Sequence, residues 1–266
     1  AIWLYQGYAL IDNCTFTDCK FSFGAVTNCY SSSPSTVNNA RMTVKDSRFR
    51  DNICPGEPGA INNCGYLEVY DSIFEDNRAA WWAGAIHTHS RATTTIVRSS
   101  FKNNYAGWYG GALYTYSNLH VINSTFISNR AVGADYVGGG AIGASNYQGS
   151  YPNVVVENSI FKYNTELNFR GGAIAVDGKG NLEVYNSTFY RNRAYWWAGA
   201  IHTHSGGNTT IHDSNFTNNV AGWNGGALYT YSYLQIYNTV FSGNNCTTDN
   251  GGGAIGACAY QSNPHI

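Results

Sequence analysis

The heptapeptide DSNFTNN at residues 213–219 and the tripeptide GAL at residues 226–228 represent two motifs that recur along this 266-residue chain. The first motif, (Asp or Asn)-(Ser or Thr)-x-Phe-x-x-Asn, is also found at residues 46–52 and 186–192. The second motif, Gly-Ala followed by Ile, Leu or Val, occurs nine times, with successive gaps of 35, 25, 27, 29, 32, 27, 27 and 27 residues. Internal periods of this length indicate a solenoid or another stacked array.

Short alternating runs between the motifs predict strands rather than helices. Residues 67–70 are Leu-Glu-Val-Tyr, residues 182–185 repeat them, and the units are rich in Gly, Asn, Thr and Tyr. Three short strands per coil suit an all-β fold, a single-stranded parallel β-helix of about nine coils with a length of about 43 Å. We expect residues 1–266 to form one such domain, in which the Ser-rich loop at residues 31–35 only lengthens one coil.

The alternation within a coil also assigns residues to the interior. If Ile86 points inward, then Gly84 and Thr88 do too, whereas His87 and His89 point outward. Two internal ladders follow: Ile61, Ile86, Leu113, Ile142, Ile174, Ile201, Leu228 and Ile255 in one, and Phe49, Phe74, Phe101, Phe126, Phe161, Phe189, Phe216 and Phe241 in the other. We interpret the Asn three residues after each Phe as a left-handed turn residue whose amide bonds to the equivalent amide one coil away.

Gly-Gly-Ala-Ile combined with Phe-x-x-Asn resembles the repeat of the chlamydial polymorphic outer membrane proteins and of adhesin-like proteins with a pectin-lyase-like fold. This resemblance covers nearly the whole chain and implies a right-handed parallel β-helix. In that family the repeats are surface-exposed rods that mediate adhesion, so the resemblance implies a cell-surface or extracellular, non-catalytic role.

A longer period is superimposed on the coil repeat. Residues 80–90 return almost unchanged at 195–205, and residues 106–117 return at 221–232, so a block of four coils is duplicated with a shift of 115 residues. The outward positions are conspicuously aromatic in both copies: Trp81, Trp82, His87, His89, Trp108, Tyr114 and Tyr116 in the first, and Trp196, Trp197, His202, His204, Trp223, Tyr229 and Tyr231 in the second. We therefore expect two surface patches about 19 Å apart.

These patches have three interpretations. Aromatic ladders stabilise an exposed sheet, contact a protein or a neighbouring subunit, or stack against sugar rings. His87 and His89 also have the spacing of metal ligands on a strand. Since the sequence places no carboxylate at the matching positions of the adjacent coils, we predict neither a metal site nor a cofactor.

Composition excludes several functions. Charged residues make up 12% of the chain and the net charge is −1, so nucleic-acid binding is not expected, and no apolar stretch is long enough to insert into a membrane. Polysaccharide lyases and hydrolases on this fold need clustered acidic groups. Asp51, Glu75 and Asp76 come closest to a cluster, but Arg50 and Arg78 lie alongside, which favours ion pairs. We therefore expect a protein that is not an enzyme, with a polysaccharide lyase or hydrolase as an alternative.

Seven cysteines suggest an oxidising compartment. Their positions in the repeat predict disulfides between neighbouring segments and leave Cys14 over. The predicted pairs are Cys19 with Cys29, Cys54 with Cys64, and Cys246 with Cys258.

Six Asn-x-(Ser or Thr) sequons predict N-glycosylation of an extracellular protein. The acceptor asparagines are Asn13, Asn123, Asn186, Asn208, Asn215 and Asn245. Neither end of the chain has an amphipathic cap, and an uncovered β-helix end invites pairing with another chain. We therefore expect a secreted rod that continues beyond the given ends or self-associates end to end or laterally, as a filament or surface layer. An adhesin that binds glycan or protein is the alternative.

Overall fold

The computed structural model describes residues 2–29, 39–133, 138–204, 206–231, 233–248 and 251–258. Their regular secondary structure is β-strand throughout, arranged in four parallel sheets to which each coil contributes one strand. The predicted all-β parallel solenoid of about nine coils is therefore confirmed. The predicted loop at residues 31–35 and the last residues, 259–266, lie outside the described ones. In the described part there is no helix that could span a membrane.

Sheet 1 has ten strands, of which all but the first belong to the nine copies of the Gly-Ala motif. Its strands are Ile2–Trp3, Val26–Asn28, Ile61–Asn63, Ile86–Thr88, Leu113–Thr115, Ile142–Ala144, Ile174–Val176, Ile201–Thr203, Leu228–Thr230 and Ile255–Ala257. Sheet 2 is formed by the Leu-x-Val runs and has nine strands. These strands are Tyr8–Asp12, Arg41–Lys45, Tyr66–Tyr70, Thr93–Val97, Asn118–Ile122, Asn153–Glu157, Asn181–Tyr185, Asn208–His212 and Tyr233–Tyr237.

Sheet 3 contains the repeated Phe at the centre of each of its nine strands. They are Thr15–Thr17, Arg48–Arg50, Ile73–Glu75, Ser100–Lys102, Thr125–Ile127, Ile160–Lys162, Thr188–Tyr190, Asn215–Thr217 and Val240–Ser242. Sheet 4, which the sequence did not predict, consists of eight strands of two residues each. They are Ile53–Cys54, Arg78–Ala79, Tyr105–Ala106, Arg130–Ala131, Thr165–Glu166, Arg193–Ala194, Val220–Ala221 and Asn245–Cys246.

The core follows the predicted ladders. Ile86 is paired with Ile61 on one side and Leu113 on the other. The phenylalanine rings stack in parallel, with centroids 4.8 Å apart between Phe74 and Phe101. Because the side chains of consecutive coils lie in register at the spacing of paired strands, each coil buries its apolar residues against the same residue types above and below.

The Phe-x-x-Asn motif is explained by a buried amide ladder. The Asn104 side-chain nitrogen donates to the Phe74 carbonyl at 2.9 Å and to Asn129 Oδ1 at 3.0 Å. This confirms the predicted amide bonds between coils. The left-handed residue is not this Asn but the one before it, as at Asn103, which has a φ of 55°. The left-handed backbone conformation therefore falls on an exposed residue, and the buried Asn side chain can form the hydrogen bonds between coils.

The glycine of the Gly-Ala-Ile motif is required because the backbones of consecutive coils approach each other closely at this position. A β-carbon built on Gly84 would lie 2.3 Å from the carbonyl oxygen of Gly111 in the next coil. Any side chain there would separate the two coils, which is why glycine recurs at this position.

Candidate functional site

The outer side of sheet 1 and the segments before its strands carry the fourteen duplicated aromatic and histidine residues, and in the structure six of them are buried. His87 is 0% exposed, Tyr114 is 2% exposed and His202 is 1% exposed. The prediction that all of these residues form open surface patches is therefore wrong. The alternation correctly excluded them from the interior of the coil, but the segment before each strand folds over the outer side of the sheet and forms a second, smaller core.

The first aromatic cluster consists of Trp82, His87, His89, Tyr114 and Tyr116. The ring of Trp82 covers it, with its centroid 5.5 Å from that of His87 and 6.2 Å from that of Tyr114. Burial raises the pKa of Tyr116 to about 12. Burial, followed by the neighbouring His87, holds the pKa of His89 well below its usual value, so the imidazole is neutral.

The second aromatic cluster consists of Trp197, His202, His204, Tyr229 and Tyr231, 115 residues later. Trp197 stacks over Tyr229 with centroids 5.7 Å apart and lies 6.2 Å from His202. Burial, followed by the Arg170 guanidinium, holds the pKa of His202 well below its usual value. Both clusters are therefore built by the same covering tryptophan and the same tyrosine pair.

A column of aromatic rings outside the two clusters remains accessible. This tryptophan column consists of Trp81, Trp108, Phe169, Trp196 and Trp223, which all lie three residues before a Gly-Ala motif. Trp81 is 45% exposed, Trp108 is 38% exposed and Trp223 is 50% exposed. Here the prediction of exposed aromatic residues is correct.

The two tryptophan pairs of the column have nearly the same geometry. The Trp81 and Trp108 rings are 5.7 Å apart with an interplanar angle of 23°, and the Trp196 and Trp223 rings are 5.6 Å apart with the same angle. Each pair is held by a backbone hydrogen bond, in which the nitrogen of the later Trp donates to the carbonyl of the earlier one at 2.8 Å and 2.7 Å, respectively. The coils thus hold these side chains in register.

A pocket of about 230 Å³ opens beside the first aromatic cluster. Its walls include Glu57, His89 and Tyr116, and the disulfide between Cys29 and Cys64 lies along one side. The loop before Gly59 supplies Glu57, a position that strand alternation did not single out. The carboxylate of Glu57 and the imidazole of His89 consequently meet at the wall of the pocket, and the buried His87 lies behind them.

The disulfide differs from the predicted pairs. Cys29 and Cys64 each lie five residues after a motif glycine, and stacking brings their α-carbons to 4.9 Å. Equivalent positions in consecutive coils therefore satisfy disulfide geometry, whereas Cys54 lies in sheet 4, away from Cys64. The predicted pairs Cys19 with Cys29, Cys54 with Cys64, and Cys246 with Cys258 are wrong. The unbonded cysteines are Cys14, Cys19, Cys54, Cys246 and Cys258.

Two of the three acidic residues considered for catalysis, Asp51 and Glu75, pair with arginines, as does the nearby Asp71. Arg98 makes two hydrogen bonds of 2.7 Å to Asp71 and, through them, lowers the pKa of this carboxyl. Glu75 pairs with Arg48 and lies 3.5 Å from Arg50. The expected ion pairs on this face are therefore present, although their partners differ in part from those predicted.

Comparison with known proteins identifies the fold family. Residues 1–148, more than half of the chain, match the family described as right handed beta helix region. The chain belongs to this right-handed β-helix family. Residues 213–231 of the β-helix also match the Chlamydia polymorphic membrane protein repeat. No curated protein and no solved structure matches the chain.

These two matches confirm the resemblance inferred from the Gly-Ala-Ile and Phe-x-x-Asn motifs. The second match includes the repeat Phe216, the motif glycine Gly226 and the clustered Tyr229. It suggests a surface or adhesin-like repeat protein. The matched segment contains Trp223 and two members of the second aromatic cluster, Tyr229 and Tyr231.

Proposed function

We propose that the protein is a non-enzymatic, adhesin-like rod displayed outside the cell, which contacts a partner at a cell surface through the tryptophan column. The observation that carries this proposal is the two tryptophan pairs of matching geometry, Trp81 with Trp108 and Trp196 with Trp223, of which all but the half-buried Trp196 are exposed. Tryptophan is enriched at protein interfaces because it combines a large apolar area with a hydrogen-bond donor.

Packing accounts for the buried clusters but not for the column. Trp82 and Tyr114 repeat in the second copy because each fills the space against the other. Trp81 and Trp223 remain about half exposed, so much of their apolar area faces solvent in both copies. Leaving this area exposed stabilises nothing in the isolated rod, whereas covering it with a partner would stabilise a complex.

Disulfide bonding and sequon exposure support an extracellular location. Cys29 and Cys64 are disulfide-bonded, and such bonds persist in oxidising compartments. The acceptor asparagine of every sequon is exposed, so all are open to modification: Asn13, Asn123, Asn186, Asn208, Asn215 and Asn245. We propose that glycans occupy at least two of them, which mass spectrometry of natural material would detect.

A cell-binding assay with the whole chain tests the adhesin proposal. Fluorescent beads coated with the protein are incubated with cells, and beads coated with the double variant Trp81→Ala, Trp108→Ala are compared. We expect retention to fall at least tenfold, because two contact side chains are lost. Tyr237→Ala is the matched control, since it removes an aromatic ring of similar exposure from sheet 2.

The chemistry of the partner is distinguished in the same assay. Prior treatment of the cells with glycosidases abolishes retention of a glycan-binding rod, and treatment with protease abolishes retention of a protein-binding rod. Equal retention of the double variant and the unmodified protein would refute the role of the column. Circular dichroism of the variants confirms that the fold is intact.

The expectation of a filament or surface layer stays a prediction. End-to-end stacking would extend all four sheets, since each strand pairs in parallel with its counterpart in the next coil. Electron microscopy and light scattering over a range of protein concentrations would reveal such growth. A monodisperse monomer at high concentration would contradict it.

A further inference from the structure

Three side chains with metal-ligating atoms converge beside the pocket, and two of them, Glu57 and His89, line it. Glu57 Oε2 lies 3.3 Å from His87 Nδ1 and 3.5 Å from His89 Nε2. Each of the three residues presents one ligating atom within 4.8 Å of the others. They come from two coils, because Glu57 lies in the loop before Gly59, whereas both histidines lie in the next coil along the rod.

His87 is the unusual member of this group. Its side chain is fully buried, and neither ring nitrogen has a hydrogen-bond partner. The contact with Glu57 is close enough for an ion pair but lacks hydrogen-bond geometry. A buried polar group without a partner is destabilising, so the arrangement favours a further atom between the imidazole and the carboxylate.

A metal ion satisfies this geometry. Tetrahedral Zn²⁺, with bonds of about 2.0–2.1 Å, holds its ligand atoms about 3.3 Å apart. The separations from the Glu57 carboxylate, 3.3 Å and 3.5 Å, are close to this value, and the ligand atoms of His87 and His89 lie within 4.8 Å of each other. We propose that Glu57, His87 and His89 form a binding site for a divalent transition metal of the zinc type, with a fourth coordination position open toward the pocket.

The surroundings suit such an ion. Imidazoles bind metals in their neutral form, with the proton on the other ring nitrogen, and the side chains of both histidines are buried. The ion would replace the present contact of His89 Nε2 with Asn62 Oδ1, which is 2.9 Å long. Glu57 supplies one negative charge against the two positive charges of the ion, and its side chain is only 19% exposed.

The second aromatic cluster provides an internal control. Its histidines, His202 and His204, repeat the spacing of His87 and His89, but Arg170 occupies the place that corresponds to Glu57. Arg170 Nη1 lies 3.3 Å from His202 Nε2, and the guanidinium stacks over the Trp197 ring at 4.2 Å. A permanent cation at this position repels a metal ion, so the second cluster is not expected to bind one.

Titration of the whole protein with Zn²⁺ alone tests the proposal. It is carried out without thiol reductant, because reduction of the Cys29–Cys64 disulfide would present two thiolates close to His89. Isothermal calorimetry measures stoichiometry and affinity, and the absorption spectrum of the Co²⁺ form reports tetrahedral coordination. We expect one tightly bound ion per chain.

Two matched variants decide the outcome. Glu57→Gln keeps the shape of the side chain but removes its charge, and we expect at least 100-fold weaker Zn²⁺ binding. His204→Gln, in the second cluster, is expected to bind Zn²⁺ as tightly as the unmodified protein. If Glu57→Gln binds equally well, or if the unmodified protein binds no Zn²⁺, then the three residues form only an ion-paired cluster and the proposal is overturned. Thermal melts with and without Zn²⁺ show whether each variant is folded.

Discussion

The two copies of the duplicated block have nearly the same residues, but the coils that precede them differ. His87 and His89 face Glu57 and Asn62, whereas His202 and His204 face Arg170 and Asp177. The covering tryptophan and the two tyrosines are the same in both copies. In a stacked fold, the environment of a side chain is therefore set by a residue about one coil away in sequence, and duplicating a coil does not duplicate its chemistry.

The preceding coils differ on their inner side as well. Sheet 4 places Cys54 at a buried position before the first copy and Glu166 before the second, in a ladder whose other members are Cys246 and alanines such as Ala131 and Ala194. Burial raises the pKa of Glu166 to about 8, against two backbone hydrogen bonds that lower it. One copy is thus preceded by a buried thiol and the other by a buried acid.

The largest expected effect concerns the buried amide ladder, which the two copies share. Asn104→Ala and Asn219→Ala each remove one member of the amide ladder, at positions 115 residues apart. In the first variant, the Phe74 carbonyl and the Asn77 backbone nitrogen lose their bonds inside the rod. We expect both variants to lower the free energy of unfolding by about 3–5 kcal/mol, measured by urea denaturation.

Asn118→Ala, an exposed position in sheet 2, is the control and is expected to cost less than about 0.5 kcal/mol. Costs that differ by more than about 2 kcal/mol between the two ladder variants would show that the copies are not equivalent in their cores.

The second prediction concerns Glu166 and the pH dependence of stability. Between pH 4.5 and about 8 the folded protein retains a proton on this carboxyl that the unfolded chain has released, so stability falls as the pH rises. From pH 4.5 to pH 7 the loss from this group is roughly 3 kcal/mol. Glu166→Gln should remove this part of the pH dependence in denaturation curves, whereas the exposed Glu68→Gln should not. An unchanged pH profile in Glu166→Gln would mean that the buried acid is already ionised.

The third prediction would convert one copy into the other. Arg170→Glu replaces the cation beside His202 by a carboxylate, as at Glu57. We expect the number of Zn²⁺ ions bound per chain to rise from one to two. The second aromatic cluster of the variant should bind Zn²⁺ at least 100-fold more tightly than the same cluster of the unmodified protein. Calorimetry measures this directly, and Arg170→Gln is the control that removes the charge without adding a ligand. If Arg170→Gln also binds a second Zn²⁺ ion, then loss of the positive charge alone explains the second site.

Much of the fold could be predicted because a β-helix repeats its core residues in register. The Ile and Phe ladders follow from the spacing of two motifs, and the amide ladder follows from the Asn that accompanies each Phe. Sheet 4 was missed because two-residue strands such as Arg78–Ala79 are too short to show alternation. The predicted disulfides were wrong because the relevant distance lies between coils, as for Cys29 and Cys64, and not across a single coil.

The candidate sites were only partly predictable. The motif spacing located the aromatic residues and the two copies, yet it did not distinguish the exposed Trp81 from the buried Tyr114. That distinction depends on a loop folding over the outer side of sheet 1. Glu57 was missed for a related reason, since its approach to His87 comes from a loop whose path has no periodic signal.

The amino-acid sequence by itself determined the stacking of the coils, their register and the duplicated block, because a repeated pattern of buried residues can pack against itself in few ways. Only the tertiary structure decided which aromatic residues face solvent, which cysteines meet and which charge lies beside each histidine pair. These features depend on contacts between irregular loops and neighbouring coils, whose distances are set by the folded backbone and leave no period in the sequence.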